Sequence, residues 1–422
     1  MAGSGKSSAA AWAQDPLGFL VSPVTSEDFF EKHYERAPLL SRREDPKRYS
    51  DMLTLETLDA FINGADLRQG MLTLASHRAS IPSETYIGTS GRVIASAVAE
   101  EYLKGATIIL PHLHESMAEL GEFCRALEGL FSAHVQTNAY LTPSGNQGFP
   151  THYDNHDVFI LQISGAKEWR FHGAPVATPY RGEGFELGRH EPGEVTESFT
   201  LKPGACVYLP RGVMHSAANV GDDPSLHITV GLITKTWADL ILESVSELAL
   251  NEPDFRHSLP PGYANRGFDR QAAARHFDDL KVLIAAKAGM DGAMDLLADN
   301  FLRERRPNLA GVIAATPNVP REGVLYRRRP LVPWQVADDG GRLVLIGPGG
   351  DVNLDDHDGE ALDIALSGEP FAVPALPCND PVRLFRKLWA NGYLEVAPNP
   401  GESQRSAAVV AEEGLEPPTR GL

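Results

Sequence analysis

Residues 151–170 read THYDNHDVFILQISGAKEWR: an H-x-D pair, a further histidine, an unbroken apolar run, a small turn, and a lysine opening the next segment. Side chains alternate faces along a strand, so His152, Asp154 and His156 are expected on one side, with Tyr153 and Asn155 on the other. Alternation alone does not separate a metal site from the wet face of an ordinary strand. The neighbouring segments decide the fold. NAYLTP lies before the stretch, and EWRFHG, SFTLKPG, CVYLP and LHITVGLI continue from its end, short apolar runs broken by Gly, Pro and Asn. This spacing predicts an antiparallel double-sheet jelly roll from about Thr137 to Thr234.

Farther on, Lys202 to Ser216 reads KPGACVYLPRGVMHS, an apolar strand between two turns followed by His215. In a jelly roll such a strand can return beside that of His152 and bring His215 against His152 and Asp154. Two imidazoles and one carboxylate on one face make the facial triad of non-heme Fe(II) oxygenases, which leaves coordination positions open. Lys167 follows the turn at Ser164 and Gly165. A lysine directed into a barrel is costly unless an anion meets it, and a dicarboxylate bound to the metal would present one. Directed outward, beside Glu168, it would be ordinary surface charge.

The chain of 422 residues exceeds what one core usually serves, so two or three domains are expected. A hydrophobic fraction of 42% and a charged fraction of 22% are those of a folded, soluble protein. The net charge of -18 opposes attraction to a phosphate backbone and favours a basic protein partner. Cys124, Cys206 and Cys378 form no C-x-x-C pair, which argues against a disulfide framework or zinc knuckle and fits a reducing compartment. No apolar run approaches the roughly 20 residues that cross a bilayer, and no secretory signal opens the chain, so a cytoplasmic location is expected. GSGKSS at Gly3–Ser8 resembles the end of a phosphate-binding loop but lacks the preceding strand that such a loop needs.

Residues 1–14 and 398–422 are small, polar or Pro- and Gly-rich and are expected to be disordered. Helices are expected with Ser26 as an N-cap, from Leu55, and between Pro111 and Gln136. After Lys235, Trp237, Leu240, Ile241, Val245 and Leu248 mark one helical face, and another helix is expected from about Gly289 to Arg305. A hairpin at RLVLIGPGGDVNL followed by two helices suggests a winged-helix-like domain.

HYDNHDVFILQISGAKEW, with NAYLTP before it and PGACVYLPRGVMHS after it, is similar to the JmjC-type cupin domain of the ribosomal oxygenase family of Fe(II)/2-oxoglutarate-dependent protein hydroxylases. FFEKHYERAPLL resembles that family's N-terminal helix and Pro-Leu-Leu. The resemblance implies an α+β chain: a double-stranded β-helix (jelly roll) domain with N-terminal helices over residues 15–234, a helical dimerisation region over 235–320 and a winged-helix-like domain over 321–397. It implies iron ligation by His152, Asp154 and His215, and binding of the distal carboxylate of 2-oxoglutarate by Lys167. Asn138, Thr229 and Tyr140 fall where the family has polar groups near the cosubstrate. It further implies a homodimer and an Arg or His of a ribosomal protein as target. His156 departs from the family, which often has an apolar or aromatic residue there; it is expected to line the substrate cleft rather than bind metal. His227 is expected to be a hydrogen-bonded core or cleft residue, and His172 and His190 surface residues. His112 and His114 precede a helix without a third partner and are discounted.

Rival readings keep the iron site with a peptide, small-molecule or N-methyl-lysine substrate, or make the barrel a metal- or sugar-binding module. The last more often uses His-x-His where this chain has Asp154. A DNA-binding reading of Arg383, Arg386 and Lys387 is weaker, because Leu384, Phe385, Leu388 and Trp389 on the same helix are more simply a core face.

Overall fold

The computed structural model describes residues 12–77, 81–315, 319–338 and 341–398; GSGKSS and the C-terminal tail lie outside them. The chain divides into two units, residues 1–234 and 235–422.

Among the described residues, ten strands shape the first unit: β1 (Leu39–Ser41), β2 (Thr73–Ala75), β3 (Thr107–Leu110), β4 (His134–Thr142), β5 (Asp157–Ser164), β6 (Lys167–Phe171), β7 (Glu197–Leu201), β8 (Cys206–Leu209), β9 (His215–Asn219) and β10 (Ser225–Ile233). Seven form the major sheet, in the order β1-β8-β5-β10-β4-β3-β2, and the other three the minor sheet, β7-β6-β9. This is the expected jelly roll. The expectation missed β9, a short and largely small-residue strand, and took the H-x-D stretch as part of a strand. His152 makes only an isolated bridge to His215, and β5 begins at Asp157.

The major sheet buries both faces, which is why β5 reads as a continuous apolar run rather than an alternating one. Phe159, Leu161, Ile228, Val230 and Tyr208 pack with Phe29, Phe123 and Leu127 of the N-terminal helices, while Val158, Ile160 and Val207 pack with Trp169, Phe171 and Leu201 of the minor sheet. Between the two sheets the major-sheet face changes from apolar to polar. Register sets Tyr140 opposite His227 and Asn138 opposite Thr229. The β5–β6 turn requires a glycine: Gly165 has φ 64, and a Cβ there would run into the Pro224 carbonyl.

The helix Ser26–Lys32 is capped one residue earlier than expected, by Thr25, whose hydroxyl accepts the Asp28 N–H. Trp12 is buried edge-on to Phe123 at 5.5 Å, so the packed core begins inside the segment expected to be disordered.

The second unit contains helices Trp237–Asn251, Gln271–Lys287 and Asp291–Glu304. The middle one escaped sequence reading because its apolar positions are interrupted by Asp, Arg and His and it has no side-chain cap. On the first, Leu240 and Leu248 are buried, but Trp237, Ile241 and Leu250 are exposed. Beyond them lie the hairpin Leu343–Gly347 and Gly350–Asn353 and the helices Gly359–Leu366 and Pro381–Ala390. The last buries Leu384, Phe385, Leu388 and Trp389 while Arg383 pairs with Asp355 and Asp358, so this helix is a core element. Among the described residues no helix is long and apolar enough to cross a membrane.

Candidate metal centre

The donors arrive on two loops. Pro150–His156, leading into β5, carries His152 and Asp154, and Pro210–Met214, leaving β8, delivers His215 at the first position of β9. A reciprocal backbone pair joins them, His152 N–H to the His215 carbonyl at 3.0 Å and His215 N–H to the His152 carbonyl at 2.7 Å, and Gly212 N–H donates to the Asp154 carbonyl at 2.9 Å. The two imidazole centroids are 4.6 Å apart, and one ligand atom from each of His152, Asp154 and His215 lies within 4.8 Å of the others.

Hydrogen bonds fix the tautomers. His152 Nδ1 lies 2.9 Å from the Pro150 carbonyl and His215 Nδ1 3.0 Å from the Val213 carbonyl. A carbonyl can only accept, so both Nδ1 atoms carry hydrogen, and in the neutral rings the Nε2 lone pairs are the ones left for a cation. Burial pushes the His215 pKa down to about 4, which keeps the ring neutral. For Asp154, burial opposes the charge but His215, His152 and His156 outweigh it, and its pKa lies below the usual carboxylate value. Neutral imidazoles and an ionised carboxylate are what a divalent metal requires.

A second group meets the same distance criterion: His112, His114 and Glu115. Glu115 is the third partner that the sequence reading did not find. Here, however, Thr137 N–H donates to His114 Nδ1 at 3.2 Å, so the hydrogen sits on Nε2 and neither nitrogen offers a lone pair without breaking that bond. His112 and Glu115 are also exposed.

Lys167 projects inward from β6 on the same face as Trp169 and is 4% exposed. Among the described residues it has no carboxylate within ion-pairing distance, and burial lowers its pKa to about 7. Tyr140, beside Asp154, Thr229 and Asn138, has its phenol pushed up to about 12 by burial. It stacks on His227 at 4.8 Å, and Trp169 stands edge-on to His227 at 5.8 Å. His227 differs from expectation: it is buried and neutral, but its Nδ1 has no partner among the described residues, and neither has Trp169 Nε1. A buried cation and an N–H donor without an acceptor suit an anionic occupant.

His156 is half-buried against Gly231 of β10, where a Cβ would lie 2.8 Å from its ring. His172 donates from Nδ1 to the Gly193 carbonyl, and His190 lies near Tyr153, so both are half-buried rather than free on the surface. Sequence reading missed Phe149 and Phe185, whose rings lie 5.6 and 6.2 Å from that of His152. Neither sits in a patterned element, so no periodicity marked them.

Residues 112–240 match the model of the JmjC domain. Ribosomal oxygenase 1 of Gallus gallus is 31% identical over 70% of this chain and 52% of its own length. The bifunctional lysine-specific demethylase and histidyl-hydroxylase NO66 of Dictyostelium discoideum is 33% identical over 60% of this chain and 50% of its own. The chain thus spans about half the length of these curated relatives. Among solved structures, the Escherichia coli ribosomal oxygenase YcfD in complex with cobalt and 2-oxoglutarate aligns over 90% of this chain and 99% of its own, at 15% identity and a TM-score of 0.51, a likeness of fold.

Proposed function

Taking residues 112–240 as a JmjC domain, we propose that the chain is an Fe(II)- and 2-oxoglutarate-dependent oxygenase that hydroxylates a protein side chain, an Arg or His of a ribosomal protein, releasing succinate and CO2. One observation carries the reading: two histidines with both Nδ1 hydrogens committed to carbonyls turn free Nε2 atoms toward the Asp154 carboxylate. The bound metal with its 2-oxo acid would supply the oxidative chemistry, which no side chain can.

The chain's own part is binding and orientation. His152, Asp154 and His215 would hold the metal. Lys167 would meet the distal carboxylate of 2-oxoglutarate, regaining at that moment the proton that burial tends to remove. Tyr140 stays protonated and, with Asn138 and Thr229, lines the same interior. The apolar inner faces of β5, β6 and β8 keep water out. No side chain needs to act as general acid or base. His156, Phe149 and Phe185 would form the mouth of the substrate cleft, where flat guanidinium or imidazole groups stack on aromatic rings.

The net charge of -18 supports a basic partner, and three cysteines without a C-x-x-C pair support a reducing, cytoplasmic setting. The exposed Trp237, Ile241 and Leu250 support a helical dimerisation region and a homodimer, with a winged-helix-like domain after it. The test is mass spectrometry of the host's ribosomal proteins with and without this gene: one residue should lose one added oxygen atom when the gene is removed, and identical spectra would refute the substrate assignment. The name of the Dictyostelium relative favours a second reading, N-methyl-lysine demethylation at the same site. Formaldehyde release from a methylated peptide would separate the two.

A further inference from the structure

Behind the metal loops, on the helical side of the major sheet, lies a charged cluster that is buried except at Glu35. Asp157, the first residue of β5, is fully buried. Its Oδ1 accepts from the Tyr208 hydroxyl at 2.7 Å and from Arg211 N–H at 3.4 Å, and its Oδ2 accepts from Arg211 Nη1 at 2.7 Å. The same Nη1 reaches Glu35 Oε1, and Glu35 N–H donates to the Tyr208 hydroxyl at 2.9 Å. The Arg211 side chain is 10% exposed.

None of these groups touches the donor atoms, yet both donor loops end in the cluster. Asp157 closes the loop of His152 and Asp154. Arg211 precedes Gly212, whose N–H holds the Asp154 carbonyl, in the loop that leads to His215. Two carboxylates around one guanidinium exceed what neutralisation needs, and buried ion pairs are often dispensable for stability alone. Glu35 also has φ 56, a left-handed conformation that a non-glycine residue adopts at a cost. A contact kept at that cost, at the junction of the two loops, has geometry to maintain.

We propose that Arg211, clamped between Asp157 and Glu35, is a positioning residue that sets the separation of the two ligand-bearing loops and so the affinity and geometry of the metal site. The proposal rests on reading His152, Asp154 and His215 as that site. Arg211 is suited to the task because one guanidinium nitrogen, Nη1, bonds both carboxylates while its own backbone N–H holds Asp157 Oδ1, so side chain and loop backbone are tied to the same point.

Titration of the full-length protein with Co(II), followed through the metal's visible absorption, tests it. Groups that orient ligands are worth about 10–100-fold in metal affinity, and Arg211→Ala should lose that much and shift the absorption bands. Arg211→Lys should recover only part, and Glu35→Ala should move the same way by less, since Asp157 still holds Arg211. A purely structural role would lower the unfolding temperature and leave the affinity and spectrum of the folded protein unchanged; that result overturns the proposal. If Arg211→Ala does not fold, Glu35→Ala, at a side chain 38% exposed, decides by the same criterion. If wild type and His152→Ala titrate alike, the metal-site reading falls first, and the clamp with it.

Discussion

Among the described residues, two histidine-carboxylate groups bring their ligand atoms equally close together, and they are not equivalent. In His152, Asp154 and His215 each Nδ1 faces a carbonyl oxygen; in His112, His114 and Glu115 one Nδ1 faces a backbone N–H. The direction of one hydrogen bond reverses which nitrogen holds the proton, and with it the capacity to bind a cation. Proximity of donors nominates a metal site, and the partner of the far nitrogen decides it.

The sharpest way to break this comparison is to remove one donor from each group. His152→Ala or Asp154→Ala should weaken Co(II) binding by more than the roughly 100-fold attributable to supporting residues, while His112→Ala should leave the calorimetric titration unchanged. Equal losses would dissolve the distinction.

Next in size is the lysine beside the first group. Lys167→Ala should weaken 2-oxoglutarate binding by about 10–100-fold, the range of a charge-assisted hydrogen bond, with Co(II) affinity preserved. Losing both together would mean that Lys167 supports the metal instead.

The pKa of about 7 at Lys167 gives that contact a pH signature. Without cosubstrate the lysine is largely neutral at pH 8, so binding a dicarboxylate there should take up close to one proton, measurable by calorimetry in buffers of different ionisation enthalpy. Uptake should vanish below about pH 6, and affinity should fall as pH rises above 7. For folding the sign is opposite. The unfolded chain holds the lysine proton up to the ordinary value of 10.5 while the folded chain releases it near 7, so the cosubstrate-free protein should gain stability from this group as pH rises through that window.

The smallest effect expected is at Gly231. Gly231→Ala must displace the His156 ring, and should change the KM of the protein substrate by less than about tenfold while leaving Co(II) affinity alone. A fall in metal affinity would return His156 to the ligand set.

Much of this was legible in the chain. The strands β5, β6, β8 and β10 announced themselves as apolar runs between turns, and the H-x-D pair, the later histidine and the lysine were separable by type and order. Other features were not. The H-x-D stretch lacks strand pairing, so alternation had no force there; the ring positions follow from the bridge to β9, a strand too small-sided to be noticed. Glu115 was passed over because its neighbourhood to His112 and His114 depends on a left-handed turn at His112, φ 52. The cluster of Glu35, Asp157, Tyr208 and Arg211 joins residues from three distant parts of the chain, and no local pattern foretells such a meeting.

By itself the sequence determined the jelly roll and the residue types able to meet within it, because hydrophobic periodicity and turn chemistry are local and act on every compact form of the chain. Which imidazole nitrogen is free, which lysine is buried without an anion, and which arginine ties the two loops together were decided only in the tertiary structure. Those properties belong to pairs of groups brought together across the sheets, where low polarity and fixed hydrogen-bond direction give each pair a meaning that neither residue has alone.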